Sequence, residues 1–220
     1  MMQQSTDHKP RRRWLIPVAV FMIVFGVSFN LILRQANEPL ESTQSTPLIS
    51  GTLIPDPRPL TPFRLTDHNG GEFSQESIKG SWHLLSFGYT HCPDICPTTL
   101  AMLARLADRM RQESLNAEIK TAFITIDPER DTQTVLASYV PYFDSAFLGV
   151  TGDRQALDKL TGQLGVLYAR VDTEQSGMGY LIDHSTSVIL TNPAGEFQAL
   201  FGAPHEVEAM AQDLIRLITR

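Results

Sequence analysis

Cys92 and Cys96 are the only cysteines in the 220-residue chain, and they stand within Gly88-Tyr89-Thr90-His91-Cys92-Pro93-Asp94-Ile95-Cys96-Pro97. The apolar run Trp82 to Tyr89 in front of the pair reads as a strand. The stretch behind it, about 97–111, reads as a helix with Leu100, Leu103, Ala104, Ala107 and Met110 on one face. A thiol placed where a strand passes into a helix meets unpaired N–H groups and the positive end of the helix dipole, both of which favour the thiolate. Thiolates serve disulfide exchange and metal binding alike. Pro97 suits a first helical position, which makes Cys96 the expected cap.

The spacing leaves three readings open. A plain structural disulfide suits an oxidising compartment, although closing so short a loop removes little chain entropy. A dedicated redox pair usually has two residues between its cysteines, whereas three intervene here and leave room for an ion. A metal would need a further ligand, and His184 is the candidate: it follows the Gly- and Ser-containing stretch 173–183 and comes just before the apolar strand Ser187 to Thr191. Two thiolates and an imidazole form a soft, near-trigonal set suited to copper as Cu(I) or Cu(II), while a closed zinc site wants a fourth ligand. As a lone histidine, His184 fits a surface or hydrogen-bonded role equally well.

The elements that must carry these residues alternate between strand and helix, which implies an α/β fold with a central sheet. Ile119 to Ile126 reads as the next strand, Asp131 as the cap of a helix reaching Tyr139, and Phe147 to Val150 as a short strand. Asp153 can cap a helix ending near Gly165, and Val166 to Val171 and Ser187 to Thr191 read as strands. Asn192-Pro193-Ala194-Gly195 is a turn into a returning strand, Glu196 to Phe201. A last helix, about 205–218, carries Val207, Met210, Leu214, Leu217 and Ile218 on one stripe.

Ahead of this domain, Trp14 to Leu33 holds 20 residues without a charge, about 30 Å of helix and enough to span a bilayer. Lys9, Arg11, Arg12 and Arg13 precede it, so the positive-inside rule puts residues 1–13 in the cytoplasm as a basic tail. Residues 14–33 are then a single transmembrane anchor, 34–62 a tether rich in Pro, Ser and Thr, and 63–220 the exported domain. A cleaved signal peptide is the rival reading of the same stretch, and both export the domain. The first thirteen residues carry +3 of a formal net charge of −6, which leaves −9 on the remainder. That balance repels phosphate backbones and argues against nucleic acid as a partner.

Three blocks together resemble the Sco/SenC family, thioredoxin-fold proteins of copper delivery to cytochrome c oxidase: Gly88 to Pro97; Asp127-Pro128-Glu129-Arg130-Asp131-Thr132; and Asp183-His184-Ser185 with the apolar strand and turn behind it. The resemblance covers about residue 62 to the C-terminus. It implies a thioredoxin-like central sheet flanked by helices, copper bound by Cys92, Cys96 and His184, and a single N-terminal membrane helix. It further implies delivery of copper to, or maintenance of the thiols of, the dinuclear copper site of oxidase subunit II or another copper protein, served in turn by a thiol reductant or a copper donor. Asp127 and Asp131 fall in the family's acidic block as candidates for docking or delivery; helix capping by Asp131 is the plainer alternative. The family commonly has aspartate where this chain has Asn192. The location implied is a bacterial inner membrane with the main domain in the periplasm, or the mitochondrial inner membrane facing the intermembrane space.

An enzymatic role as a thiol–disulfide reductase needs only Cys92 and Cys96. Cys96-Pro97-Thr98 also resembles a peroxiredoxin site, but Pro93 stands where that family has the threonine that binds peroxide.

Overall fold

The computed structural model describes residues 21–22, 25–30, 48–113, 115, 117–172 and 179–219. The chain divides into two units, Met1–Ser45 and Thr46–Arg220, and the second carries the site. The expected span 14–33 lies mostly outside the described residues: within it only 21–22 and 25–30 are described, and these are helical and exposed. Among the described residues no helix is long and apolar enough to cross a membrane.

The second unit is built on an eight-stranded sheet in the order β1 (Gly51–Pro59), β10 (Glu196–Phe201), β9 (Val188–Thr191), β4 (Trp82–Gly88), β5 (Ile119–Thr125), β6 (Leu148–Thr151), β2 (Arg64–Asp67) and β3 (Glu72–Ser74). Its centre is β4 (Trp82–Gly88), parallel to β5 (Ile119–Thr125), which is in turn parallel to β6 (Leu148–Thr151). These strands are buried along nearly their whole length because both faces are covered; Leu84, Leu85, Phe87, Ala122, Phe123 and Ile124 are all buried. The parallel crossovers are α1 (Ile95–Arg111) between β4 and β5, and α2 (Gln133–Tyr139) between β5 and β6. On the other side β9 (Val188–Thr191) and β10 (Glu196–Phe201) run antiparallel, joined by the expected turn in which Asn192 Oδ1 accepts from the N–H groups of Ala194 and Glu196. Helix α3 (Arg154–Leu164) is capped by Asp153 and ends at Gly165 in the left-handed region, as read. Helix α4 (Val207–Ile218) packs against α1, burying Met210, Leu214 and Leu217.

Three expectations need correction. The tether 34–62 does not stay clear of the domain: β1 (Gly51–Pro59) pairs antiparallel with β10, and Leu60 is buried. Its prolines misled because density of proline reads as linker, yet an edge strand needs only half its N–H groups, and the register shift between Leu53 and Arg58 absorbs the rest. The start of β1 is tied down by fully buried Asp213 of α4, whose carboxylate accepts from the N–H groups of Ile49, Ser50 and Gly51. Second, the cap of α2 is Thr132, whose hydroxyl accepts from Val135 N–H, and not Asp131. Third, α1 begins at Ile95 with Asp94 at its N-cap, so Cys96 lies in the first turn and Pro97 two residues further in than expected.

Two hairpins were not anticipated. β2 (Arg64–Asp67) and β3 (Glu72–Ser74) close the far edge of the sheet through a turn at Asn69-Gly70, with φ of 89° at Gly70. β7 (Tyr168–Asp172) and β8 (Tyr180–His184) form a separate two-stranded sheet.

Candidate metal centre

The carboxyl end of β4 delivers the chain to Gly88 and buried Tyr89, and the loop turns back as Cys92 N–H donates to the Tyr89 carbonyl at 3.2 Å. The Asp94 side chain makes no cap bond to α1. Instead Cys92 Sγ accepts from the Cys96 N–H at 3.4 Å, so a sulfur takes up one of the unpaired donors at the start of this helix. Cys96 is buried at 3% exposure and Cys92 is half-buried. Both are free thiols.

His184 reaches the pair from β8. It is the last residue of that strand, opposite Tyr168, and not in a loop ahead of the next one. Its Nε2 lies 3.4 Å from Cys96 Sγ, and one ligand atom from each of Cys92, Cys96 and His184 falls within 4.8 Å of the others. The imidazole Nδ1 is 2.9 Å from the Ser185 carbonyl. Because a carbonyl only accepts, Nδ1 carries the proton, and the Nε2 lone pair is left facing the sulfurs.

The thiols do not share their proton evenly. The hydrogen bond from the Cys96 side chain, assisted by the backbone N–H groups of Cys96 and Asp94, pulls the Cys92 thiol down to about 3 against the opposing effect of burial. Cys96 is pushed up, first by donating to Cys92 and then by burial. The two thiols therefore differ in direction, with Cys92 the more readily ionised and Cys96 the one that keeps its proton longer.

The surroundings are tightly built. A Cβ on Gly88 would stand 2.7 Å from Cys96 Sγ and 2.9 Å from the Phe123 ring, so only glycine admits the sulfur at that point. Tyr89 meets the His184 ring edge-on at 6.2 Å between centroids, and its hydroxyl oxygen accepts from Ile182 N–H at 3.2 Å.

Asp127 and Asp131 are both fully buried, so neither carboxylate is presented at the surface. Asp131 accepts from Thr90 N–H at 2.9 Å, Thr90 Oγ1 at 2.6 Å and Thr125 Oγ1 at 2.7 Å, pinning the loop two residues before Cys92 to the end of β5. Asp127 is ion-paired with Arg130 and accepts from the Tyr180 hydroxyl at 2.7 Å. The other described histidines go elsewhere: His68 Nδ1 accepts from Gly149 N–H, His205 Nε2 bonds the Thr186 carbonyl, and buried His83 bonds the Ser81 carbonyl. His91 adjoins Cys92 but turns Nδ1 to Thr90 Oγ1 at 3.1 Å. Sequence reasoning missed Tyr89, Thr90, Thr125, Arg130 and Tyr180 as parts of the site. Tyr89 and Thr90 lay inside the cysteine block and Arg130 inside the acidic one, but no spacing rule gives such residues a role.

Among the described residues Cys92, Cys96 and His184 form the one group that could hold a metal ion. The donor set fits a soft ion: two sulfurs, one imidazole nitrogen with its lone pair directed inward, and a half-exposed rim.

The family model described as SCO1/SenC matches residues 54–219. A protein of Stutzerimonas stutzeri named "Putative copper-binding protein" is 36% identical over 166 residues, covering 76% of this chain and 80% of that protein. Two solved structures are similar: Arabidopsis thaliana ScoI with copper bound, at 33% identity and a TM-score of 0.68 over 72% of this chain and 97% of that one, and Bradyrhizobium japonicum ScoI with copper bound, at 34% and 0.64 over 72% and 99%.

Proposed function

The chain belongs to the SCO1/SenC family, and from that premise we propose that it binds one copper ion between Cys92 Sγ, Cys96 Sγ and His184 Nε2 and hands it on as cargo to another copper protein. The observation that carries this reading is the convergence of three soft donor atoms within 4.8 Å, with the imidazole already in the tautomer that ligation needs. Copper binding requires both sulfurs as thiolates. Cys92 is the more readily ionised of the two, so the proton that is harder to displace is that of Cys96. Release suits the uneven burial: an incoming ligand can replace half-exposed Cys92 or His184 first, while buried Cys96 holds the ion until last.

By the family resemblance the acceptor is the dinuclear copper site of cytochrome c oxidase subunit II. The 20 uncharged residues of 14–33, behind a basic tail, support anchorage in a bacterial inner membrane with the domain in the periplasm. With β1 part of the domain, the tether shortens to residues 34–47. In a titration of the reduced chain with Cu(I) against a competing chelator, binding saturates at one equivalent; absence of saturable binding would sink the copper reading.

One observation favours a second activity at the same atoms, reduction of a partner's disulfide. The Cys92 thiolate attacks one sulfur of that bond and the other leaves as a thiolate. Cys96 then gives up its proton and attacks Cys92 Sγ, expelling the second partner sulfur and leaving this pair oxidised by two electrons. The half-exposed thiolate with its pKa near 3 is the group such an attack needs. Iodoacetamide should therefore modify Cys92 of the reduced protein at a rate nearly flat from about pH 5 to 8, where an ordinary thiol speeds up several hundred-fold, roughly, as it ionises. A steep rise across that range would show that Cys92 is not a preformed thiolate.

A further inference from the structure

The β7–β8 hairpin that carries His184 is not part of the main sheet, and an isolated two-stranded hairpin has little stability of its own. Something else must fix the distance between His184 and the sulfurs. One set of contacts between β8 and the body of the domain runs through Arg130. Its guanidinium lies 3.7 Å from the centre of the Tyr180 ring and 5.6 Å from that of Tyr89, and its Nη1 donates to the Tyr180 carbonyl at 3.3 Å. The guanidinium is held in turn by Nε on the fully buried Asp127 carboxylate, whose other oxygen takes the Tyr180 hydroxyl. Tyr89 completes the circuit: it leaves β4 just before the cysteine loop, accepts from Ile182 N–H two residues before His184, and meets the His184 ring edge-on.

We propose that Arg130 is a positioning residue for the third metal ligand: stacked between the Tyr180 and Tyr89 rings and pinned by Asp127, it locks the hairpin in the register that points His184 Nε2 at the thiol pair. This deepens the copper reading above and rests on it. A planar guanidinium can lie flat on an aromatic face and hold a carboxylate at its edge at the same time, which the point charge of a lysine cannot. Both ends of the hairpin's inner strand are thereby fixed, Tyr180 by Arg130 and Asp127, and His184 by Tyr89 and the Ser185 carbonyl. Without the lock, His184 spends part of its time away from the sulfurs, and copper is left on two thiolates.

The test is a double-mutant cycle on the full chain, read as Cu(I) affinity by chelator competition and as nitrogen hyperfine coupling in the Cu(II) electron paramagnetic resonance spectrum. Arg130→Met strands a buried carboxylate and can disturb folding, so Tyr180→Leu, which keeps the Asp127–Arg130 ion pair, is run beside it. Each is expected to weaken copper about tenfold, the scale of losing a partner that orients a ligand, and to diminish the nitrogen signal. In a His184→Ala background neither should change the affinity further. Arg130→Lys should behave like the methionine variant, because charge alone does not restore the stack. Equal losses with and without His184, or full affinity and full nitrogen coupling in both Arg130→Met and Tyr180→Leu, overturn the proposal. If His184→Ala alone leaves copper affinity untouched, the three-ligand reading itself has failed, and that result is separate from the cycle.

Discussion

Replacing His184 with alanine is expected to lower copper affinity by more than the roughly 100-fold that marks the upper end for losing an outer partner of a ligand, while leaving dithiol chemistry intact. The imidazole supplies one of three donors, and its Nε2 already stands 3.4 Å from Cys96 Sγ. Two thiolates can still hold Cu(I), so binding falls without vanishing. The fold should tolerate the change: His184 is half-buried at a strand end, and the bond from its Nδ1 to the Ser185 carbonyl contributes about 1 kcal/mol or less to stability. Chelator competition measures the first effect, and reduction of a model disulfide by the same variant measures the second. Unchanged copper affinity would remove the imidazole from the site. Loss of dithiol exchange at the same time would show that His184 acts on the cysteines and not chiefly on a metal.

How far this centre could be read beforehand depends on how local each cause is. The cysteines were legible because a strand, a six-residue loop and a helix start follow one another in sequence, and α1 begins within two residues of where its periodicity placed it. Asn192 and Asp153 were legible for the same reason, since turn and cap chemistry acts over two to four residues. His184 was a candidate from its place ahead of an apolar strand, but only the family resemblance decided between a ligand and an ordinary histidine. Its nearness to Cys96 spans 88 residues, and no periodicity encodes a contact of that range. The same holds for β1, whose pairing with β10 depends on a strand about 140 residues away and on Asp213 in the last helix. Asp127 and Asp131 show a different failure. The family's acidic block suggested docking or delivery for them, and nothing local announced their burial, because carboxylates are rarely buried. Here Thr90, Thr125, Tyr180 and Arg130 satisfy them, and each of those partners looks unremarkable in its own local sequence.

Asp131→Ala is accordingly expected to destabilise the domain by about 3–5 kcal/mol, at the upper end for a single substitution, because it strips partners from one buried N–H and two hydroxyls at once. The Thr90 backbone is released with them, and Thr90 lies between Tyr89 and the cysteine loop. Copper affinity should fall as well, which a cap residue remote from the site would not produce. Asp131→Asn keeps the shape and one acceptor and should cost clearly less. The two variants also separate in their dependence on pH. Burial raises the carboxyl above its ordinary value of 3.8 despite the three hydrogen bonds, so the folded state favours the protonated form. That contribution is fully present below the unfolded-state value and is lost as pH rises through the elevated folded-state value. The native protein should therefore shed stability across that window, and Asp131→Asn, which stays neutral throughout, should lack this component. Urea unfolding of the three proteins over a pH series measures it. A loss under about 1 kcal/mol for the alanine variant would show that Asp131 does not hold the loop, and an identical pH dependence in the asparagine variant would show that its charge carries no weight there.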